Sequence, residues 1–399
     1  MTYKEKFGKG ISHYYFVEEI YKNEIFTQYI VVDKNDKKLY MGKIINGNNL
    51  LNDNTIRTNL QREIDILIKL KNENENIIYF RSFKTSNKSN NMYLITEYYN
   101  GGNLKDFQKF YINKNKTQFN EKFIQNVIRQ ITSGLEYLHN KNIIHRYIKL
   151  ENIYINFDKY KNELKNDNIP PKINYSEINL DEPMTFKIGN FYHSKILQEK
   201  SHIRANSDFC FEPNYMSPKM VENVRNNDQN KNINDDKNLD IWSLGIITYE
   251  LLTGKTPFEG KNIEDIYNNI LKRRYDIPSN LKASKEIISF INGIFQYNPY
   301  KKKDLYNLSK IKEHPFLKNN VETFNYGENN NLYNGETPPS NVYILSNDDS
   351  FIEPKVDYEV KLENIDKEIK KLKENIYNLI KEKQNAIQKF EKDLNELKE

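Results

Sequence analysis

From about residue 13 to residue 317, strand-like segments alternate with segments of helical periodicity. Residues 29–32 and 39–45 predict two strands that flank the polar turn 33–36. Residues 241–252 are largely apolar around Trp242 and predict a buried helix. Apolar spacings of three and four predict two further helices, one with Ile56, Leu60, Ile64 and Leu67, and one with Phe123, Val127, Ile128, Ile131, Leu135 and Leu138.

Two polar segments interrupt this pattern, at about residues 158–184 and 223–238. They are rich in Asn, Asp and Lys, so we interpret them as surface loops. Residues 318–354 contain Gly327, Gly335 and a Pro-Pro pair, which predicts a flexible linker without a core of its own.

Residues 355–399 have a regular apolar periodicity, and Glu and Lys occupy the remaining positions. This pattern predicts a coiled coil of about five heptads, which self-associates or pairs with a partner coil. A single amphipathic helix that folds back on the preceding domain is the alternative. Two runs separated by a stutter carry the periodicity: Leu362, Ile365, Ile369, Leu372, Ile376 and Leu379, and then Ile380, Lys383, Ile387, Phe390, Leu394 and Leu397.

The composition is typical of an intracellular protein. The single cysteine, Cys210, excludes a disulfide framework and indicates a reducing compartment. No apolar run approaches the length of about 18 residues that a membrane-spanning helix requires, and the first residues lack the apolar core of a secretory signal. The net charge of +5 is divided between 60 basic and 55 acidic residues, so we expect neither nucleic acid nor membrane as a partner. We expect a cytoplasmic rather than a nuclear protein.

Residues 145–152 read His-Arg-Tyr-Ile-Lys-Leu-Glu-Asn. They resemble the catalytic loop of protein kinases, His-Arg-Asp-x-Lys-x-x-Asn, at every fixed position except 147. The resemblance to eukaryotic Ser/Thr protein kinases covers about three quarters of the chain and implies an α+β, two-lobed fold, with a small β-rich lobe and a large α-helical lobe. Four further motifs follow the order of that family: 93–98 (gatekeeper strand and hinge, with Thr96 as gatekeeper), 186–192 (metal-binding turn), 215–219 (end of the activation segment) and 240–245 (central helix of the large lobe).

The departures from the family pattern fall on the groups that do the chemistry. Tyr147 replaces the Asp that accepts the proton of the substrate hydroxyl, and a phenol with a pKa near 10 cannot act as that base at neutral pH. Asn190 replaces the magnesium-binding Asp with a neutral amide. Tyr21, Asn23 and Phe26 stand at the glycine positions of the phosphate loop, where backbone amides must approach the phosphates.

Other nucleotide-binding positions are retained. The resemblance assigns Lys43 to the ATP phosphates, Glu63 to the partner of that lysine, Lys149 to the transferred phosphoryl group and Asn152 to the second metal. Lys43 and Glu63 also have a structural interpretation, an ion pair that holds the helix in place, which we favour because the phosphate loop is lost. Together with Asn190 these residues form the predicted cofactor-binding set, and no residue is predicted to be catalytic or to bind a metal.

The adenine pocket is altered as well. The resemblance places Gln28, Met41 and Tyr154 at the positions that clamp the base, where the family usually has Val, Ala and Leu. Packed interiors resist even one added methylene, so three enlargements predict that ATP fits poorly. No cofactor is therefore expected.

The structural positions of the family persist. The resemblance assigns Leu67, Tyr79, His145 and Phe191 to the hydrophobic spine that joins the lobes, and Asp240 to the anchor at its base. This pattern predicts that the lobes still assemble without the reaction.

The sequence therefore predicts a pseudokinase, which acts in intracellular signalling as a scaffold or allosteric partner with little or no phosphotransfer. We expect a protein partner, and an active kinase is one candidate. The alternative is a weak or unorthodox ATP-dependent Ser/Thr kinase that uses magnesium. It would need another base and metal ligand, for which the insert preceding Phe186 is one source. A purely structural coiled-coil protein is the third hypothesis.

Overall fold

The computed structural model of the chain describes residues 10–11, 13–47, 54–86, 91–160, 175–197, 212–226, 236–278, 281, 283–296, 307–318 and 344–345. The chain divides into two compact units, Met1–Val342 and Tyr343–Glu399. The described part of the second unit is one short strand, Ile344–Leu345. The predicted coiled coil and most of the predicted linker therefore lie outside the described residues.

Six strands of the first unit form an antiparallel sheet: β1 (Gly10–Ile11), β2 (Tyr14–Lys22), β3 (Phe26–Asp33), β4 (Leu39–Ile45), β5 (Phe80–Thr85) and β6 (Met92–Glu97). They are neighbours in the order β1-β2-β3-β4-β6-β5. Between β4 and β5 the chain forms helix α1 (Asn54–Leu70), which buries Leu60, Ile64 and Leu67. This part is the small lobe.

Helices make up most of the large lobe: α2 (Leu104–Asn115), α3 (Glu121–Asn140), α4 (Pro218–Asn226), α5 (Asn238–Thr253), α6 (Ile263–Lys272), α7 (Lys285–Phe295), α8 (Leu308–Glu313) and α9 (Pro315–Lys318). Two short antiparallel pairs complete it, β7 (Ile143–Ile144) with β10 (Lys195–Ile196) and β8 (Ile153–Phe157) with β9 (Met184–Ile188). Within the described ranges, no helix has the length and apolarity needed to span a bilayer.

The periodic segments of the sequence form the predicted elements. The predicted strands lie in β3 and β4, and the three predicted helices are α1, α3 and α5. Helix α5 is buried from Leu239 to Leu252, which confirms the prediction of a buried helix around Trp242. The abundant asparagines also have a local role: the Asn120 side chain accepts a hydrogen bond from the N–H of Phe123 at 2.8 Å and caps α3.

The two predicted surface loops, at about residues 158–184 and 223–238, are shorter in the structure than the sequence predicts. Residue 184 begins β9, and residues 223–226 belong to α4. Tyr175 packs its ring against Phe107 with the ring centres 5.3 Å apart, which ties the end of the first loop to α2. Residues 161–174 and 227–235 lie outside the described part of the chain.

Three of the four predicted spine residues are buried. Leu67, His145 and Phe191 are almost completely buried, and the rings of His145 and Phe191 lie 5.1 Å apart. Tyr79 is only half-buried, whereas its neighbour Phe80 is 3% exposed in the core. The place of Tyr79 in the spine therefore stays a prediction.

Asp240, at the start of α5, holds the loop that follows α3. Its carboxylate is fully buried and accepts hydrogen bonds from the N–H groups of His145 and Arg146, at 2.9 and 2.7 Å, and from His139 Nε2 at 2.8 Å. Burial alone would raise the pKa of Asp240, but the bonds from His139 and His145 hold it below its usual value. The carboxylate is therefore ionised at neutral pH and fixes the loop backbone.

We expect the substitution Asp240→Asn to lower the free energy of unfolding by about 2–4 kcal/mol, since it removes the charge and leaves buried N–H donors short of an acceptor. Chemical denaturation followed by circular dichroism measures this change. The matched control is Glu259→Gln at an exposed position, which should change stability by less than about 0.5 kcal/mol. Equal stability of the two variants would contradict the anchoring role.

Candidate functional site: the cleft between the lobes

A cleft of about 890 Å³ lies between the two lobes. Its upper wall comes from β2, β3 and β4, and residues 98–103 form one side. The 3₁₀ helix Leu150–Asn152, the loop before it and residues 190–193 form the floor. The five residues predicted as the cofactor-binding set stand in or beside this cleft: Lys43, Glu63, Lys149, Asn152 and Asn190.

Lys43 is enclosed by other side chains of the cleft. Its Nζ lies 2.7 Å from Glu63 Oε2, and the carboxylate is only 3% exposed. The ring of Phe26 lies 4.7 Å from the same nitrogen, and the ring of Tyr192 lies 5.6 Å from it. The charge of Lys43 is thus shared between one buried carboxylate and two aromatic faces.

The turn between β2 and β3 uses its own backbone amides. Asn23 Oδ1 accepts hydrogen bonds from the N–H groups of Ile25 and Phe26, at 2.9 and 2.8 Å. The N–H of Asn23 in turn donates to the carbonyl of Phe26 at 3.0 Å. The ring of Phe26 also packs on Tyr21, with the centres 5.6 Å apart. Amides that would have to point at phosphates are therefore bonded within the turn.

Aromatic stacking fills the side of the cleft near β6. Tyr154 stacks on Tyr99 with the ring centres 3.9 Å apart, and Gln28 Nε2 donates to the Tyr99 hydroxyl at 3.3 Å. Met41 is 4% exposed. Burial raises the pKa of Tyr154 to about 12, so its hydroxyl is neutral at physiological pH. The sequence pointed to Gln28, Met41 and Tyr154 but missed Tyr99. Tyr99 contacts Tyr154 only because β8 packs beside the hinge in the folded structure.

Two amides occupy the positions of the predicted metal ligands. Asn190 Nδ2 donates to Asn152 Oδ1 at 2.9 Å, and Asn152 Nδ2 donates to the carbonyl of Tyr147 at 2.8 Å. Asn190 has a φ of 63°, in the left-handed region that asparagine tolerates better than most residues. Among the residues that the structure describes, no three His, Cys, Asp or Glu side chains converge on a point that could hold a metal ion.

Tyr147 and Lys149 meet a carboxylate from another segment. Glu212 Oε1 forms an ion pair with Lys149 and accepts a hydrogen bond from the Tyr147 hydroxyl at 3.4 Å. Burial raises the pKa of Tyr147, so its hydroxyl stays protonated at neutral pH. Burial lowers the pKa of Lys149, but Glu212 and Tyr147 more than compensate and raise it. Sequence reasoning missed Glu212, although it lies only three residues before the motif 215–219.

Comparison with known proteins also identifies a protein kinase domain in this chain. The family model for the protein kinase domain matches residues 24–317. Myosin light chain kinase A of Dictyostelium discoideum is 30% identical over 310 residues, which span 77% of this chain and 88% of that protein. A probable myosin light chain kinase of the same organism is 27% identical over 315 residues, or 78% and 86% of the two chains.

A kinase from another organism gives a similar match. The Aurora kinase of Eremothecium gossypii is 28% identical over 267 residues, which span 66% of this chain and 58% of that protein. The family match covers well over half of the chain, and the fold has the two lobes that the motifs predict. The chain therefore belongs to the eukaryotic Ser/Thr protein kinase family.

Proposed function

We propose that this protein is a pseudokinase, which acts as a scaffold or allosteric partner in intracellular signalling with little or no phosphotransfer. One observation carries the proposal: the groups that would hold phosphate and magnesium are bonded to one another. Asn23 binds the amides of the β2–β3 turn, and Asn190 donates to the oxygen of Asn152. A ligand would have to break these bonds before it gained any of its own.

Magnesium fits poorly in this arrangement. A hard divalent cation prefers ionised carboxylates in a regular octahedral set. Here it would meet two neutral amides, and the Asn152 oxygen is already an acceptor for Asn190. The nearby Glu63 and Glu212 carboxylates are paired with lysines. The residues present therefore do not fit a magnesium–ATP complex, and no step of the proposed function passes through one.

The group at the position of the general base is also unsuitable. The Tyr147 hydroxyl keeps its proton at neutral pH and donates a hydrogen bond to Glu212. A general base must accept a proton near neutral pH, so Tyr147 cannot serve. Its ring and the Lys149–Glu212 pair instead join the loop 145–152 to the segment that leads to α4.

The retained structural contacts of the two lobes are suited to a binding role. The Lys43–Glu63 pair connects β4 to α1, and the buried spine with Asp240 holds the two lobes together. An assembled pair of lobes can bias a bound protein through contacts alone, without chemistry. We infer a protein partner in the cytoplasm, with an active kinase as one candidate, and recruitment or pairing through residues 355–399.

The second candidate function is a weak or unorthodox Ser/Thr kinase that uses ATP and magnesium. Its support is Glu212, which brings a carboxylate onto Lys149 next to position 147. That carboxylate comes from the segment before α4 rather than from the insert before Phe186. The relatives that carry the name of kinases also favour this candidate. It still requires phosphate and metal contacts that the cleft uses internally.

We expect no phosphotransfer above background, to generic substrates or to the protein itself, because base, metal ligand and phosphate loop are all altered. Incorporation of labelled phosphate from ATP measures it, with Lys43→Met as the matched negative control. Incorporation that disappears in Lys43→Met would contradict the proposed function. Incorporation that also disappears in Glu212→Gln would identify Glu212 as the substitute base.

Restoring the base alone should not restore activity. In Tyr147→Asp the new carboxylate would stand beside Glu212, and phosphate and metal positioning would still be missing. Contributions of catalytic groups that act as a unit are strongly non-additive, so the variant should stay at the background of the unchanged protein. The same labelled-phosphate assay tests this prediction. Clear activity of this single variant would show that the nucleotide site is intact.

Residues 355–399 should mediate self-association or pairing with another coil. The apolar stripe would be about 55 Å long at about 1.5 Å per residue, and a monomer rarely exposes so much apolar surface. Light scattering should give at least twice the 47.7 kDa of one chain for the full chain, and the mass of a single chain for a chain ending at residue 354. The pair Ile369→Asp and Ile376→Asp should abolish assembly, whereas Lys370→Asp with Asn378→Asp, off the stripe, should not.

A mass of one chain each for the full chain and for the shortened chain would exclude self-association. Loss of the melting transition of the kinase-like domain on truncation would favour a helix that folds back on it.

A further inference from the structure

The internally bonded cleft has not closed. About 890 Å³ remain between the lobes, within the range of about 300–1,000 Å³ typical of small-molecule sites. Aromatic rings line it from both lobes, among them Tyr21, Tyr98, Tyr154 and Tyr192. Tyr21 is half exposed, with 50% of its surface accessible. Rings in this number favour a flat ligand that stacks.

The charge of the cleft has the wrong sign for phosphate. Both lysines that line it are already paired, Lys43 with Glu63 and Lys149 with Glu212. Glu18, Asp106 and Glu151 add three more carboxylates to the lining. Five carboxylates therefore stand in or beside the cleft against two lysines, and an anion would be repelled.

The surroundings of the cleft carboxylates also bear on whether a positively charged ligand would bind. Glu151 Oε2 is buried, and no group in the described part of the chain donates a hydrogen bond to it. Burial lowers the pKa of Lys149, but Glu212, Tyr147 and Glu151 outweigh this effect and raise it. Asp106 is 63% exposed, and its neighbour Lys109, at 3.9 Å, is 64% exposed. Water screens this pair and also the attraction of Asp106 for a ligand, so Glu151 contributes more than Asp106 to the binding of a cation.

We propose that the cleft binds a phosphate-free aromatic cation. A flat ring would stack on the tyrosines, and its positive group would face the Asp106 and Glu151 carboxylates and the aromatic faces. The inference rests on the proposed loss of nucleotide chemistry, because an active kinase would keep this cleft for ATP. A ligand held by residues of both lobes would favour one arrangement of the lobes, and through it the state presented to a partner.

Three naphthalene probes of one shape and different charge test the proposal: 2-naphthamidine (positive), 2-naphthamide (neutral) and 2-naphthoate (negative). Melting temperature and titration calorimetry of the full chain give their affinities. We expect the amidine to bind about tenfold more tightly than the amide, the naphthoate to bind most weakly, and the amidine's advantage to shrink with added salt. Amide binding as tight as amidine binding, or no binding by any probe, would overturn the proposal.

Variants locate the site. Glu151→Gln should remove most of the amidine's advantage over the amide, while the exposed control Glu259→Gln should leave it unchanged. An unchanged advantage in Glu151→Gln would also overturn the proposal. ATP with magnesium and the phosphotransfer assay run in parallel. Phosphotransfer would defeat the proposed function, whereas failure of the amidine without phosphotransfer would defeat this inference alone.

Discussion

The buried carboxylate of Asp240 sets the geometry on which the cleft depends. It receives the N–H groups of His145 and Arg146, so the residues that follow, Tyr147 and Lys149, leave the loop in fixed directions. Its pKa is depressed, so the stability it contributes is present above the unfolded-state value and is lost as pH falls through the folded-state value. One buried charge thus fixes the backbone of the loop from which Tyr147 and Lys149 project.

Several residues at the nucleotide-binding positions have a partner within or beside the same cleft. Buried polar groups must be hydrogen-bonded, so a side chain at such a position is stabilised by bonding to a neighbour. Asn190 bonds to Asn152, Asn23 bonds to its own turn, and Lys149 pairs with Glu212. Each of these bonds lies within one lobe and satisfies polar groups that line the cleft or stand beside it.

Local patterns in the sequence predicted the elements well, because strands and helices follow short-range periodicity. The buried helix around Trp242 and the pairing of Lys43 with Glu63 both follow from spacing and motif order. Contacts between distant segments could not be predicted in this way. Glu212 meets Lys149, and Tyr99 meets Tyr154, only after the lobes have folded. The half-burial of Tyr79 could not be predicted either, because adjacent positions of an extended segment face opposite sides and only the folded structure decides which side is buried.

We propose that the cleft bonds to itself in place of magnesium and phosphate. The most direct test is an NMR titration of selectively Asn-labelled protein with ATP and Mn²⁺, a paramagnetic substitute that broadens nearby signals. We expect the side-chain amide signals of Asn152 and Asn190 to keep their positions and widths at millimolar ATP. Broadening of these two signals that requires both ATP and Mn²⁺ would show a working metal–nucleotide site and contradict this proposal.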